Sequence, residues 1–339
     1  MLLNHRLLTV ALGLLGALGG LAADPEVSLP VTAQDGPSAP AGMVLIPAGS
    51  FTMGDNFEEG NSGEQPTHTV HVSAFYMDRT EVTNDLMVEV MQWAYDRGKV
   101  SASTATVRSL EGIGQPLLDL SDLDCAVTWN GSRFGMKARA GRGSPCVEVS
   151  WYGAVAFCNY RSLMEGRTPC YDLSDWSCDW SANGYRLPTE AEWEKAARGD
   201  ASGRRFPWGD TISHSQANYR SDSGIAYDVG PTRGYHPDYA SEAPPYTSPV
   251  GSFAPNSHGL YDMAGNVCEW CGDWYSADYY GTSPASDPRG PSGGSYRVMR
   301  GGSWDSFAWY CRVALRFISF PPDSSGNAYG FRCVLPAGQ

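Results

Sequence analysis

Apolar and polar positions along the chain group into a few short elements separated by long stretches of turn residues. Met43-Val44-Leu45-Ile46-Pro47 and the run Gly49 to Gly54 predict two short strands with turn residues between them, and Val70 to Tyr76 predicts another. The three are expected to share one antiparallel sheet. Leu86, Val90, Trp93 and Ala94 recur at helical spacing, so an amphipathic helix is expected after Thr83. A second helix is expected from Ser150, a good N-cap, carrying Ala154, Phe157, Cys158 and Tyr160. The third is the best signalled: Thr189 caps it, Glu192 three residues later completes a capping box, and Trp193 faces inward. Ser101 to Gly143 reads as an irregular surface insertion, and after Gly199 the pattern fragments into loops with no repeat of solenoid length. The pattern fits one domain over residues 42–336, at the upper end of single-domain size.

The start of the chain follows a different rule. His5 and Arg6 precede an apolar run from Leu7 to Leu21, and Ala22 and Ala23 lead into Asp24 and Pro25. This predicts a secretory signal peptide over residues 1–23, followed by a flexible Pro/Ala/Ser-rich leader over 24–41. The run is shorter than the roughly 20 apolar residues a membrane helix needs. No cysteine stands near the cleavage point to take a lipid, so the expected mature protein is secreted or periplasmic, without a membrane segment.

Export changes the reading of the 9 cysteines, because oxidising compartments allow disulfides, and the odd count leaves at least one thiol unpaired in a monomer. With 39 Gly, 23 Pro, 11 Trp and 18 Tyr, the chain suits a turn-rich fold pinned by aromatic packing. A formal net charge of −13 argues against nucleic acid or an acidic membrane surface as partner, since such binding needs clustered Lys and Arg. It suits a protein that binds cations, and equally one that is simply soluble. His68 and His71 do not form a metal pair, because residues three apart on a strand face opposite sides.

Several strings carry a resemblance. In order they are Gly49-Ser50-Phe51-Thr52-Met53-Gly54, Glu81-Val82-Thr83-Asn84, Val149-Ser150-Trp151, and Arg186-Leu187-Pro188-Thr189 through Glu194. Phe206-Pro207-Trp208-Gly209, Gly259 through Val267, Arg300-Gly301-Gly302-Ser303-Trp304 and Gly330-Phe331-Arg332-Cys333 follow. Together they resemble the formylglycine-generating enzyme (sulfatase-modifying factor) family over nearly the whole mature chain. The resemblance implies an α+β fold, similar to C-type lectins, with small antiparallel sheets, few helices and much loop. It also implies an oxidation of a cysteine in a sulfatase Cys-x-Pro-x-Arg segment to formylglycine, using oxygen and copper(I) held by two thiolates.

Carried onto this chain, the second thiolate position is Cys311 but the first is Ser306, whose hydroxyl is a poor ligand for copper(I). Ser303 matches the family's pocket serine, Cys268 stands where a pocket tryptophan is usual, and Ala328 fills an asparagine slot with Asn327 beside it. Cys268 and Cys271 form a Cys-x-x-Cys spacing, which can bind a soft metal or form a redox disulfide. A Cys271–Cys311 or Cys268–Cys271 disulfide is expected ahead of a copper site rebuilt from either cysteine with Cys311. The resemblance further implies structural calcium on Asp262, the carbonyls of Gly265 and Val267, and Glu269, with a second ion on Asn218, the carbonyl of Tyr219 and Asp238. It implies a Cys158–Cys333 disulfide, whereas Cys170–Cys178 and Cys125–Cys146 are pairings suggested by proximity alone. Two uses follow: an oxidase for a sulfatase polypeptide, or a non-catalytic binder of a peptide, glycan or partner protein through Trp304, Phe307, Trp309 and Tyr310.

Overall fold

The computed structural model describes residues 39–137, 141, 143–240 and 245–338. The signal segment and all but the end of the leader lie outside the described residues. Among the described residues no helix is long and apolar enough to cross a membrane.

The unit from Ala39 onward opens with strands β1 (Met43–Ile46), β2 (Gly49–Met53), β3 (His68–Val72) and β4 (Phe75–Asp78) and then helix α1 (Asn84–Asp96). Next come β5 (Val100–Ala102), β6 (Thr106–Ser109), β7 (Pro116–Asp119), β8 (Val127–Trp129) and β9 (Phe134–Met136), then α2 (Trp151–Met164). After α2 the short pair β10 (Tyr171–Asp172) and β11 (Ser177–Cys178) leads to α3 (Glu190–Arg198). A long loop region follows before β12 (Cys268–Trp274), β13 (Arg297–Arg300), β14 (Phe317–Phe320), β15 (Tyr329–Gly330) and β16 (Val334–Pro336). Three α-helices among many small, mostly antiparallel sheets give the expected α+β class.

The three helices start where the capping residues place them. Thr83 Oγ1 accepts from Leu86 N at 3.3 Å and Ser150 Oγ from Gly153 N at 3.0 Å. Thr189 and Glu192 close both bonds of a capping box, at 3.1 and 2.8 Å.

The opening strands differ from expectation in two respects. Val70 to Tyr76 is not one strand, because the chain breaks at Ser73, where Asp287 accepts from the Ser73 backbone N–H at 2.7 Å and its hydroxyl at 2.8 Å. The halves then join separate sheets: β3 pairs with β2, and β4 lies between β1 and β16. The segment after Ser101 is also not irregular. It folds as the β5-β6-β7 sheet and the β8-β9 hairpin, and Val107, Leu117, Leu118, Val127, Trp129 and Phe134 join the main hydrophobic core. Short β-branched and aromatic runs carried that signal, and the intervening Gly, Ser and Asp turns obscured it.

The core has three parts, and β12 contributes to the first two. Residues of α1, α2 and the β5-β9 region form the first, β1 to β4 with α3 the second, and Phe206, Ile212, Tyr219 and Cys311 belong to the third. The four-stranded sheet β14-β13-β12-β15 runs between them.

Candidate functional site

The site is built at the end of β13, where a fully buried Arg300 anchors the strand. Its guanidinium donates to Glu190 at 3.2 Å, to Glu194, and to the carbonyls of Val313 and Ala314 at 2.7 and 3.1 Å. The chain then turns through Gly301 and Gly302, with φ of 93° and 74°, the left-handed region that glycine tolerates best. Space demands glycine as well. A Cβ on Gly301 would fall 3.1 Å from the Trp193 ring, and one on Gly302 would fall 2.7 Å from Cys311 Sγ.

Four polar side chains converge on this turn. Ser303 and Ser306 hydroxyls lie 3.0 Å apart, and the Ser303 backbone N–H donates to Ser306 Oγ at 3.0 Å. Cys268, at the start of β12, lies near both hydroxyls and Gly302. Cys311 sits on the other side of Gly302, wholly buried. Burial pushes the Cys268 thiol up to about 12 against the pull of those groups, and pushes Cys311 well above the ordinary thiol range, helped by the neighbouring Cys268. The pocket is nearly dry: Cys268 and Ser303 are each 3% exposed and Ser306 is 8%.

Cys271 is absent from it. Residues three apart on a strand face opposite sides, and Cys271 packs with Trp193, Tyr280, Val298 and Val313 in the second core. The structure does not bring the expected Cys271–Cys311 and Cys268–Cys271 pairs together: Cys268 packs in the first core, Cys271 in the second and Cys311 in the third.

A sulfatase-modifying factor enzyme 1-like domain model matches residues 30–337. The chain belongs to that family. Within the sulfatase-modifying factor family it is 36% identical over 336 residues to a formylglycine-generating enzyme of Streptomyces coelicolor, covering 90% of this chain and 94% of the relative. It is 31% identical over 313 residues to an inactive C-alpha-formylglycine-generating enzyme 2 of Mus musculus, covering 88% and 86%. Among solved structures, Treponema denticola variable protein 1 superposes with a TM-score of 0.62 at 30% identity, covering 87% of this chain and 94% of that one.

Around the sulfatase-modifying factor pocket, the aromatics expected to form a contact surface divide. Trp304 is buried against Tyr246 and Tyr235, with ring centroids 5.1 and 5.6 Å away, and its Nε1 donates to the Asn327 carbonyl at 3.0 Å. Phe307, Trp309 and Tyr310 are half-buried, Trp309 and Tyr310 being stacked at 3.5 Å. Asn327 turns away from the pocket: its Nδ2 donates to Asp124 at 2.7 Å, so the 101–143 segment holds the pocket's outer wall.

The acidic turn before β12 places the expected calcium residues unequally. Asp262 is buried, and its Oδ1 has no hydrogen-bond partner while Oδ2 accepts from Gly251 N at 2.6 Å. Gly265 and Val267 lie in the turn that follows. Glu269 is committed elsewhere, since Oε1 and Oε2 accept from Arg332 at 2.6 and 2.8 Å and Oε2 also from Trp193 Nε1 at 2.8 Å. Sequence reading missed the partner that is present. Glu81 is 1% exposed with Oε2 unpartnered, and burial followed by the nearby Asp262 carboxylate pushes its pKa well up. Its position in Glu81-Val82-Thr83-Asn84 was the available signal.

The second expected cation set does not assemble. The Tyr219 carbonyl accepts from His214 Nε2 at 3.0 Å, and Asp238 is exposed, its backbone N–H donating to His236 at 3.2 Å. Asn218 points the other way, its Nδ2 lying 3.5 Å from Asn266 Oδ1 and its own Oδ1 buried without a partner. Asn266 in turn donates to Glu81 Oε1 at 3.0 Å. Glu81 and Asn218 thus both contact Asn266, and Asp262 lies beside Glu81. Among the described residues no three His, Cys, Asp or Glu side chains cluster as metal ligands.

All nine cysteines are thiols in this structure. Cys158 and Cys333 sulfurs lie 3.6 Å apart, Cys125 neighbours Cys146, and Cys170 neighbours Cys178 across the β10-β11 pair.

Proposed function

We propose that this chain is an exported sulfatase-modifying factor that oxidises a cysteine of a sulfatase Cys-x-Pro-x-Arg segment to formylglycine in the pocket around Gly302. The observation that carries the reading is the convergence there of Cys311, Cys268, Ser303 and Ser306 in a chain that matches the family over residues 30–337. Two thiols with no imidazole or available carboxylate are a soft donor set, which suits copper(I) and excludes hard cations. The nearby carboxylates are committed, Glu269 to Arg332 at 2.6 and 2.8 Å and Asp228 to the Tyr219 and Ser221 hydroxyls at 2.6 and 2.9 Å. The copper ion, when bound, supplies one-electron chemistry with dioxygen.

The protein's own groups do the rest. The hydrogen-bonded Ser303 and Ser306 hydroxyls set a polar wall beside Cys268, and burial keeps bulk water from the reacting thiol. In the overall balance, the cysteine carbon becomes an aldehyde and its sulfur leaves as hydrogen sulfide. Dioxygen takes four electrons in all, two from the cysteine and two, with two protons, from a thiol reductant, so the net products beside hydrogen sulfide are the aldehyde and one water.

Export is supported by the charged-then-apolar start of the chain. Structural calcium is supported by the unpartnered buried oxygens of Asp262 and Glu81, with Glu269 serving as the ion-pair partner of Arg332 rather than a ligand. A second reading, a non-catalytic binder, is favoured by the complete burial of Cys311 and the half-exposed Phe307, Trp309 and Tyr310 beside it. One assay separates the two. The reduced protein is given copper(I), oxygen and a Cys-x-Pro-x-Arg peptide, and the products are weighed by mass spectrometry. Formylglycine that disappears in Cys311→Ala supports the oxidase; peptide that binds without conversion supports the binder.

A further inference from the structure

We infer that Asn130, at the tip of the β8-β9 hairpin, is a site of spontaneous covalent modification. Its carboxamide closes on the Gly131 backbone nitrogen to a succinimide, which water opens to aspartate or iso-aspartate. This chemistry needs nothing from the Gly302 pocket.

The chain contains two Asn-Gly pairs, Asn130-Gly131 and Asn183-Gly184. Glycine in second place matters because no side chain shields its nitrogen from the carboxamide. By sequence the two pairs are equivalent, and the fold makes them opposites. Residues Asn130 to Arg133 form the exposed loop that joins Trp129 to Phe134, closed by the Asn130 N–H donating to the Arg133 carbonyl at 3.1 Å. Asn130 Oδ1 folds back over this loop and takes three donors. They are the Arg133 N–H at 2.8 Å, the Ser132 N–H at 3.0 Å and the Ser132 hydroxyl at 3.2 Å. An asparagine that bonds the backbone two residues on lays its carboxamide along the intervening peptide, here that of Gly131. Gly131 has a φ of 100° and open space where a Cβ would stand, and among the described residues none accepts from its N–H.

Asn183 is tied to a different segment. Its Oδ1 accepts from the Thr168 N–H at 2.9 Å, which holds the carboxamide away from ring closure on its own chain. Gly184 is buried, and a Cβ there would fall 2.3 Å from the Thr168 carbonyl oxygen and 2.6 Å from Ser162 Oγ, so this peptide has no room to turn.

The atoms balance without an oxidant or cofactor. The Gly131 nitrogen gives its proton to solvent base and bonds to Asn130 Cγ, and the carbonyl electron pair moves onto Oδ1. Three donors already aimed at that oxygen stabilise the anion as it forms, as an oxyanion hole does. The bond from Cγ to Nδ2 then breaks, and ammonia leaves with a proton from water. Water adds to one of the two ring carbonyls, so the net change is amide plus water to carboxylate plus ammonia. Opening at one carbonyl gives aspartate; opening at the other gives iso-aspartate, whose backbone is longer by a single carbon. That carbon enters the loop between Trp129 and Phe134, whose rings lie 4.4 and 6.4 Å from that of Tyr95 in α1.

The test holds the full chain, folded, in mildly alkaline heavy-oxygen water, beside the same chain in urea, until the urea sample has converted. Peptide mapping by mass spectrometry then counts the heavy oxygen left by each opened succinimide. In urea Asn130 and Asn183 should convert at similar rates. In the folded chain Asn130 should outrun Asn183 by at least about tenfold, a barrier difference of about 1.4 kcal/mol. Ser132→Ala, with circular dichroism to show the fold intact, should slow Asn130 about fivefold, less than a buried oxyanion donor is worth because this loop meets water. Asn130 intact in the folded chain, equal folded rates at the two sites, or an unchanged rate in folded Ser132→Ala would overturn the inference.

Discussion

The two ends of a three-residue stretch, Arg300 to Gly302, are built on opposite principles. Arg300 meets two carboxylates and two carbonyls, and around it Arg316 with Glu190 and Arg198 with Glu194 complete a lattice of buried charge. Two residues later Gly302 faces the Cys311 sulfur and the Tyr310 carbonyl, with the Ser303 and Ser306 hydroxyls following it, and no ion pair. The contrast shows how the fold separates support from chemistry. Strong, directional ion pairs fix the strand end, so the pocket need not supply its own rigidity and can keep groups that are easily deprotonated by a metal.

That division can be tested from the lattice side first. Arg300→Ala strips one partner from two buried carboxylates, and breaking a buried pair in this way costs about 3–5 kcal/mol. Urea unfolding should show a loss of that size, and a change under about 1 kcal/mol would mean the lattice is not what supports the strand. Gly302→Ala should cost less, about 1–2 kcal/mol for the left-handed backbone. It should also abolish tight copper(I) binding while the protein stays folded; retained binding would show that the turn does not set the sulfur spacing.

A smaller effect comes from Glu148, which joins the 101–143 segment to the C-terminal loop. Asp119 N donates to the Glu148 carbonyl at 3.0 Å and Glu148 N donates to the Gly326 carbonyl at 3.1 Å. Burial, then Asp122, holds its carboxyl up to about 7. In the unfolded chain it titrates near 4.3. Below that value both states carry the proton. Between it and about 7 only the unfolded state ionises, so this group's contribution falls as pH rises. Asp273, held up to about 8 by burial and Glu190, adds a slope of the same sign to both proteins and cancels in a comparison. Denaturation midpoints of Glu148→Gln and the parent should therefore diverge between pH 5 and pH 8, the variant losing less; parallel lines would place Glu148 in water. Smallest of the four is Thr189→Ala, which removes the capping bond to Glu192 N and should cost about 1 kcal/mol by thermal unfolding.

What could be read from the chain divides along similar lines. Helix starts at Thr83, Ser150 and Thr189 were legible because a cap is a local signal, written in residues three apart. Ser303, Ser306 and Cys311 were legible as neighbours because they lie within one short loop, where the two serine hydroxyls are 3.0 Å apart. Choosing between Cys268 and Cys271 needed the register of β12 against β13, a non-local fact that no spacing rule supplies. Glu81 was hidden for the same reason: it lies about 180 residues from Asp262, and only the folded chain shows the two carboxyls sharing a burial site. The strands of the 101–143 segment were missed because each is three or four residues long, too short for alternation to stand out from its turns.

The sheet in which β4 separates β1 from β16 bears on how such a domain can be carried by other proteins. Met43 pairs with Asp78 on one side of β4 and Pro336 with Phe75 on the other. With strands roughly 4.8 Å apart and about 3.3 Å of rise per residue, entry and exit lie about 14 Å from one another. A linker of around five residues spans that gap. The polypeptide could be joined there and reopened at an exposed loop, or threaded into a host sequence as a cassette, with the Gly302 turn left undisturbed.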